Sequence, residues 1–220
     1  MIYVDDIIII SDELKNIKSV KEEISACLDA KDMGELSTFL GVTYSPVIGG
    51  AMLDQESYVL DVLERFGMEK CKPVSSPMTS GCSSVCSNRL FDQRKYEEVL
   101  GCLLFLATRT RPDINIAVTV LCWKSFEPLD CDFIAAKRVL RYLQGTRNFG
   151  LKFSGCSGSL RAFADGDWAG DEQWLKSTTG FVIFLGNSAV PWKSAMQTVV
   201  ALLTSEAEFI AASEVCKVVM

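Results

Sequence analysis

The sequence predicts a mixed α/β fold of the α+β kind, and three observations predict it. Almost half of the 220 residues are apolar, enough to build a buried core. In the stretches 14–28, 55–66, 96–106 and 133–143 apolar side chains recur at three- and four-residue steps, the period of a helix with one buried face. From about Phe149 the pattern changes to short, turn-bounded strand runs, followed by one more helix.

The first ten residues are two apolar, β-branched runs around Asp5-Asp6. They read as buried strands joined by a tight turn at the two aspartates. Ser11 and Asp12 can cap a helix running to about Leu28, with Leu14, Ile17, Val20, Ile24 and Cys27/Leu28 along one side. Lys31-Asp32-Met33-Gly34 breaks it. Phe39 to Tyr44 and Ala51 to Leu53 flank Gly49-Gly50 and read as a hairpin. Gln55 to Phe66 is a second amphipathic helix, with Gly67 placed as its C-terminal cap.

Residues 71–93 are rich in Ser, Cys, Pro and Gly and read as a linker. Tyr96, Val99, Leu100, Leu103 and Leu106 form the apolar stripe of the next helix. Pro112 suits the first turn of another, running to about Trp123. Phe133 to Leu143 makes a third, carrying Lys137, Arg138 and Arg141 and ended by Gly145. Strands are expected at Leu151–Phe153, Leu160–Ala164, Phe181–Leu185, Val190–Lys193 and Val199–Leu203, and a last helix from near Ser205.

Composition narrows the chemistry. The chain has no histidine, which removes Ser-His and Cys-His nucleophilic catalysis. Nine scattered cysteines argue against a disulfide framework, and Cys82 and Cys86 have no second pair for a zinc site. They read as small, mostly buried apolar side chains. No apolar run reaches the length of a membrane span and no signal peptide opens the chain, so an intracellular, reducing setting and no membrane partner are expected. Charge is uneven: residues 1–70 carry 6 basic and 14 acidic side chains, residues 108–154 carry 8 and 4. The basic middle could face phosphates or be a solvated helix face.

Two carboxylate sets remain as candidate chemistry. Asp5 and Asp6 repel each other unless a cation or hydrogen-bond donors hold them, so they form a solvated turn or a site for a hard cation such as Mg²⁺. Asp165 and Asp167 end a strand, Asp171 follows, and Glu206 and Glu208 lie in the first turn of the last helix. Acids at a strand end and on a nearby helix can bind a metal pair for phosphodiester hydrolysis. Alternatively they are a loop cluster and glutamates favoured by the helix dipole.

The order of motifs resembles the C-terminal part of the Pol polyprotein of copia-type LTR retrotransposons. Tyr3-Val4-Asp5-Asp6 looks like the reverse-transcriptase catalytic box. Lys31-Asp32-Met33-Gly34, Phe39-Leu40-Gly41, Phe66-Gly67-Met68 and Lys72 to Pro77 are similar to the stretch that follows it. Thr110-Arg111-Pro112-Asp113-Ile114 and Val139 to Thr146 are similar to the connecting segment. Asp165 to Asp171, Ser177 to Phe181, Trp192-Lys193-Ser194 and Ser205 to Phe209 look like the first half of a ribonuclease H domain.

The resemblance implies the end of a reverse-transcriptase palm and thumb at 1–80, a helical connection at 81–148, and a truncated ribonuclease H-like domain at 149–220. It implies RNA-directed DNA polymerase and RNA–DNA hybrid ribonuclease chemistry with Mg²⁺. Asp5 and Asp6 would be two of three polymerase carboxylates. Asp165 and Glu208 would be two of four ribonuclease H acids, preferred over Asp167 and Glu206 because Asp165-Gly166 and Glu208-Phe209 fit the family's pattern. Partners would be an RNA–DNA hybrid or template–primer and the rest of a Pol polyprotein, in a cytoplasmic particle or the nucleus. The sequence departs from the family where a His-Trp pair is usual, near Cys131, and where an arginine is usual, near Leu175. Incomplete carboxylate sets predict that the isolated chain is inactive. The alternative is a decayed or repurposed remnant, at most a nucleic-acid or protein binding module.

Overall fold

The computed structural model describes residues 1–79, 89–154, 158–168, 170 and 176–220. Asp171, Leu175, Cys82, Cys86 and Cys156 lie outside the described residues. The chain divides into two compact units, Met1–Leu40 and Gly41–Met220. Both mix helix with antiparallel sheet, as the sequence predicts.

In the first unit, strands β1 (Ile2–Tyr3) and β2 (Asp6–Ile7) pair antiparallel, with Ile2 opposite Ile7 and Tyr3 opposite Asp6. That register makes Val4-Asp5 the two-residue turn, one position earlier than the sequence suggested. The strands are not buried: Ile2 is 73% exposed and Tyr3 51%. Helix α1 (Leu14–Cys27) starts later than expected and has no fully buried side chain. The Ser11 hydroxyl accepts from the Glu13 N–H at 3.2 Å, ahead of the first turn. The helix ends at Cys27, where Leu28 turns extended and its N–H donates to Ile24 O at 2.8 Å; in the loop beyond, Asp32 accepts from Gly34 N–H at 2.9 Å and pairs with Lys21 at 2.8 Å. Gly34, in the loop that follows, takes φ +83°. A short strand, β3 (Thr38–Phe39), closes the unit.

The second unit opens on a hairpin of β4 (Val42–Val47) and β5 (Gly50–Asp54), joined through Ile48 and Gly49. β5 also pairs antiparallel with β6 (Gly150–Ser154), about a hundred residues on. Gly50 and Gly150 each sit against the neighbouring strand's backbone, where a side chain would collide.

Helix α2 (Glu56–Arg65) buries Val59, Val62 and Leu63 and ends as the glycine predicted. Gly67 N–H donates to Glu64 O at 2.9 Å and Met68 N–H to Leu63 O at 2.7 Å, a Schellman cap. Helix α3 (Gln93–Arg109) is capped by the Asp92 carboxylate and buries Tyr96, Val99, Leu100, Leu103 and Leu106. A 3₁₀ turn at Pro112–Ile114 leads into α4 (Asn115–Cys122). Helix α5 (Asp130–Gly145) begins three residues before Phe133, because Asp132 accepts from the Leu129 N–H at 2.8 Å and caps an earlier turn. These four helices share one apolar core.

Strand β8 (Thr178–Leu185) lies between β7 (Leu160–Asp167) and β9 (Ser188–Met196), antiparallel to both. Helix α6 (Thr204–Val219) packs on this sheet through Ala207, Ala211 and Val215, the last against Phe181 and Ile183. Val199–Leu203 is not a strand. Gln197 N–H makes the last bond to the sheet, to Ser177 O, and Leu202 N–H is taken by the Glu206 carboxylate at 2.7 Å. The run is the lead-in to α6. Among the described cysteines Cys102 alone is buried; Cys71, Cys122 and Cys131 are half-buried and Cys27 and Cys216 exposed, so most are not the buried apolar side chains expected.

Candidate functional site

Asp5 and Asp6 occupy different backbone settings. Asp5 is in the turn and Asp6 opens β2. The turn places Val4 at φ +49°, a region that costs a β-branched residue about 1–3 kcal/mol. Met1 and Ile8 close the ribbon's open end, with Ile8 N–H donating to Met1 O and the terminal ammonium to Ile8 O, both at 2.8 Å. Both carboxylates face solvent. Their hard oxygens suit Mg²⁺, which takes one or two carboxylates and keeps several waters.

The second set is held by more structure. Gly166 pairs across the sheet with Thr179, and its N–H points away from β8 to the Glu208 Oε2 at 3.2 Å. Helix α6 approaches so closely that a Cβ on Gly166 would lie 2.6 Å from Ala207 O and 2.9 Å from Glu208 N. A glycine after Asp165 is therefore a packing requirement. Strand alternation puts Asp165 and Asp167 on the face opposite Gly166, while the Glu208 carboxylate meets β7 at the Gly166 amide. A carboxylate has about four lone-pair sites, so one bond to Gly166 leaves Glu208 able to accept a cation. Glu206 is engaged elsewhere, on Leu202 N–H. Among the described residues no three His, Cys, Asp or Glu side chains come together as a metal-holding group.

A buried polar layer ties the two elements. Gln197 donates from Nε2 to Thr179 Oγ1 and to Ala207 O, both at 3.0 Å. Trp168 donates from its indole N–H to Ala201 O at 3.1 Å. The only signal for Gln197 in the sequence is a polar residue ahead of an apolar run.

Two stretches singled out by the sequence have a structural use. Arg111 is 1% exposed. Its guanidinium makes a two-pronged pair with Asp113 at 2.9 and 2.7 Å and donates to Thr146 O and Oγ1 at 3.0 and 2.7 Å. It also lies near the rings of Tyr142 and Phe149. Thr110 donates to Gln55 Oε1 at 2.8 Å. The basic face of α5 is partly spent on its own chain: Arg141 donates to Lys72 O, Gln144 to Glu69 O and Arg138 to Ser76 Oγ. These arginines hold the segment after α2 in place.

Comparison with known proteins places this architecture. The family described as reverse transcriptase (RNA-dependent DNA polymerase) matches residues 1–80. A retrovirus-related Pol polyprotein from transposon RE1 of Arabidopsis thaliana is 37% identical over 95% of this chain, which spans 14% of that polyprotein. A putative transposon Ty5-1 protein of Saccharomyces cerevisiae is 31% identical over 97% of this chain and 71% of its own length. The chain belongs to the Pol polyproteins of copia-type retrotransposons. An uncharacterized mitochondrial protein of Arabidopsis thaliana is also similar, 36% identical over 95% of this chain and 88% of its own. No solved structure matches the chain. The reverse-transcriptase match covers the Asp5-Asp6 ribbon, and the Pol relatives extend the likeness over almost all of the rest. Among the described residues no helix is long and apolar enough to cross a membrane.

Proposed function

We propose that this chain is a Pol segment that joins the end of a reverse transcriptase to the first part of a ribonuclease H-like domain, and that it is catalytically silent by itself. In this reading residues 1–80 are the polymerase end, 81–148 the connection and 149–220 the ribonuclease H-like part. Asp5 and Asp6 belong to a polymerase metal site, and Asp165 and Glu208 to a ribonuclease H metal site. The observation that carries the reading is the Glu208 carboxylate on the amide next to Asp165.

When bound, Mg²⁺ would polarise a phosphoryl oxygen and lower the pKa of a water that attacks it. The chain's own contribution is to fix the donors. β7 sets Asp165, the tight Gly166 contact sets the depth of α6, and α6 sets Glu208. Full chemistry needs a complete, preorganised donor set, and two acids out of each set fall short of that. The substrate class under this reading is an RNA–DNA hybrid or template–primer, and the partner is the remainder of a Pol polyprotein.

A non-catalytic remnant that binds nucleic acid or protein is the second reading, in keeping with Asp5 and Asp6 lying open to solvent. Incubating the purified chain with an RNA–DNA hybrid and Mg²⁺ tests the proposal. No cleavage above background is expected, and Mg²⁺-dependent cleavage that disappears in Asp165→Asn would overturn the silent assignment.

A further inference from the structure

We propose that Gln197 is a positioning residue that holds the helix bearing Glu208 against the strand bearing Asp165. This rests on the reading of those two carboxylates as one metal site. Gln197 is 4% exposed and lies between the last sheet bond and the start of α6. Its Nε2 bridges Thr179 Oγ1 and Ala207 O. Thr179 is the cross-strand partner of Gly166, and Ala207 directly precedes Glu208. One side-chain amide therefore ties the α6 backbone at Ala207 to the Thr179 hydroxyl on β8, directly across from Gly166 in β7, and so helps set whether Glu208 reaches the Gly166 N–H.

Burial alone gives no reason for an amide at this place. Its Oε1 has no hydrogen-bond partner, a state that costs free energy in a buried site. Methionine has nearly the same length and would remove that orphan. Ala207 O would still accept within the helix, as carbonyls four residues before an N–H do. Gln197→Met is thus expected to fold, and what it removes is the link between helix and strand.

Amide hydrogen exchange on the full chain reads this link, with and without Mg²⁺. Gln197→Met should keep its cooperative melt and the protection of α6, while exchange at Gly166 rises about tenfold or more. Any Mg²⁺-induced protection of residues 161–167 should need roughly tenfold more metal, which a purely structural role would not require. If Gln197→Met fails to fold, Thr179→Val removes one of the two bonds and should speed Gly166 exchange by a smaller factor. Gly166 exchange unchanged in a folded Gln197→Met chain, or in Thr179→Val where that stands in, overturns the proposal. A wild-type chain with no Mg²⁺ response at 161–167 overturns the metal reading instead, and the metal-free exchange at Gly166 still decides the role of Gln197.

Discussion

Asp5 and Asp6 sit on a ribbon of two-residue strands whose apolar side chains face water, whereas Asp165 lies in an eight-residue strand with a neighbour along one edge and a helix across one face. Both segments are aspartates at the end of an apolar run. What separates them is the number of independent elements that fix each carboxylate. In the first unit the turn geometry and a few bonds between Met1 and Ile8 do so. In the second, cross-strand register, a backbone-on-backbone contact and a buried glutamine act together. A donor set is only as well placed as the layer behind it.

The largest effect that would sharpen this contrast is expected at Arg111. Its guanidinium is buried, and removing it leaves Asp113 and Thr146 without their donor. Breaking such a pair costs about 3–5 kcal/mol. Arg111→Ala should therefore unfold the Gly41–Met220 unit at far lower urea than wild type. Asp5→Asn, on the exposed ribbon, should leave the midpoint within about 0.5 kcal/mol of wild type. Equal losses for the two variants would erase the distinction.

Gly166→Ala comes next. Its Cβ would meet the Ala207 carbonyl and the Glu208 N–H, both backbone atoms that cannot rotate away. The helix must move outward, at a cost of about 1–3 kcal/mol. Thermal melts should show the loss. A variant as stable as wild type would mean that α6 is free to slide on the sheet.

How much of this was legible depended on whether local chemistry or distant partners decided each element. α2 could be read because its apolar face and Gly67 cap are both local, and the stripe from Tyr96 to Leu106 because it repeats at the helical period. The turn of the first ribbon was displaced by one residue, since nothing local marks Val4 for a positive φ. Val199–Leu203 has strand composition, yet the Glu206 carboxylate takes the Leu202 N–H as the chain turns into α6. The use of Arg111 was invisible for a different reason: Thr146 lies 35 residues away, and no spacing rule connects them. Gln197 likewise gains meaning only when the Thr179 hydroxyl and the Ala207 carbonyl meet over it. The carboxylates themselves were legible as candidate ligands, but not which of them a neighbouring element would hold.

Alkaline pH separates the units further. In the second unit, burial and a hydrogen bond with Cys102 push the Tyr58 phenol up to about 12 from its ordinary 10. The folded state thus disfavours the phenolate, so the stabilising contribution is complete below the unfolded value and is lost as pH rises towards the folded one. Urea midpoints of the second unit should fall between about pH 10 and 12, less steeply in Tyr58→Phe. Identical slopes would remove Tyr58 as the cause.

The smallest effect belongs to the first unit and runs the other way. Asp32 is held below the usual carboxylate range, first by its hydrogen bond from Lys21 and then by the Gly34 N–H. A depressed folded value gives stability that is present above the unfolded value and disappears as pH falls through the folded one. The pair is exposed to water and screened by salt, so its loss should loosen α1 only slightly. Hydrogen exchange of α1 amides should quicken modestly as pH drops below about 4, after correction for the intrinsic rate. Asp32→Asn should exchange at that faster level throughout and show no acid step. Persistence of the step in Asp32→Asn would assign it to another carboxylate of the first unit and remove the Lys21–Asp32 pair as its cause.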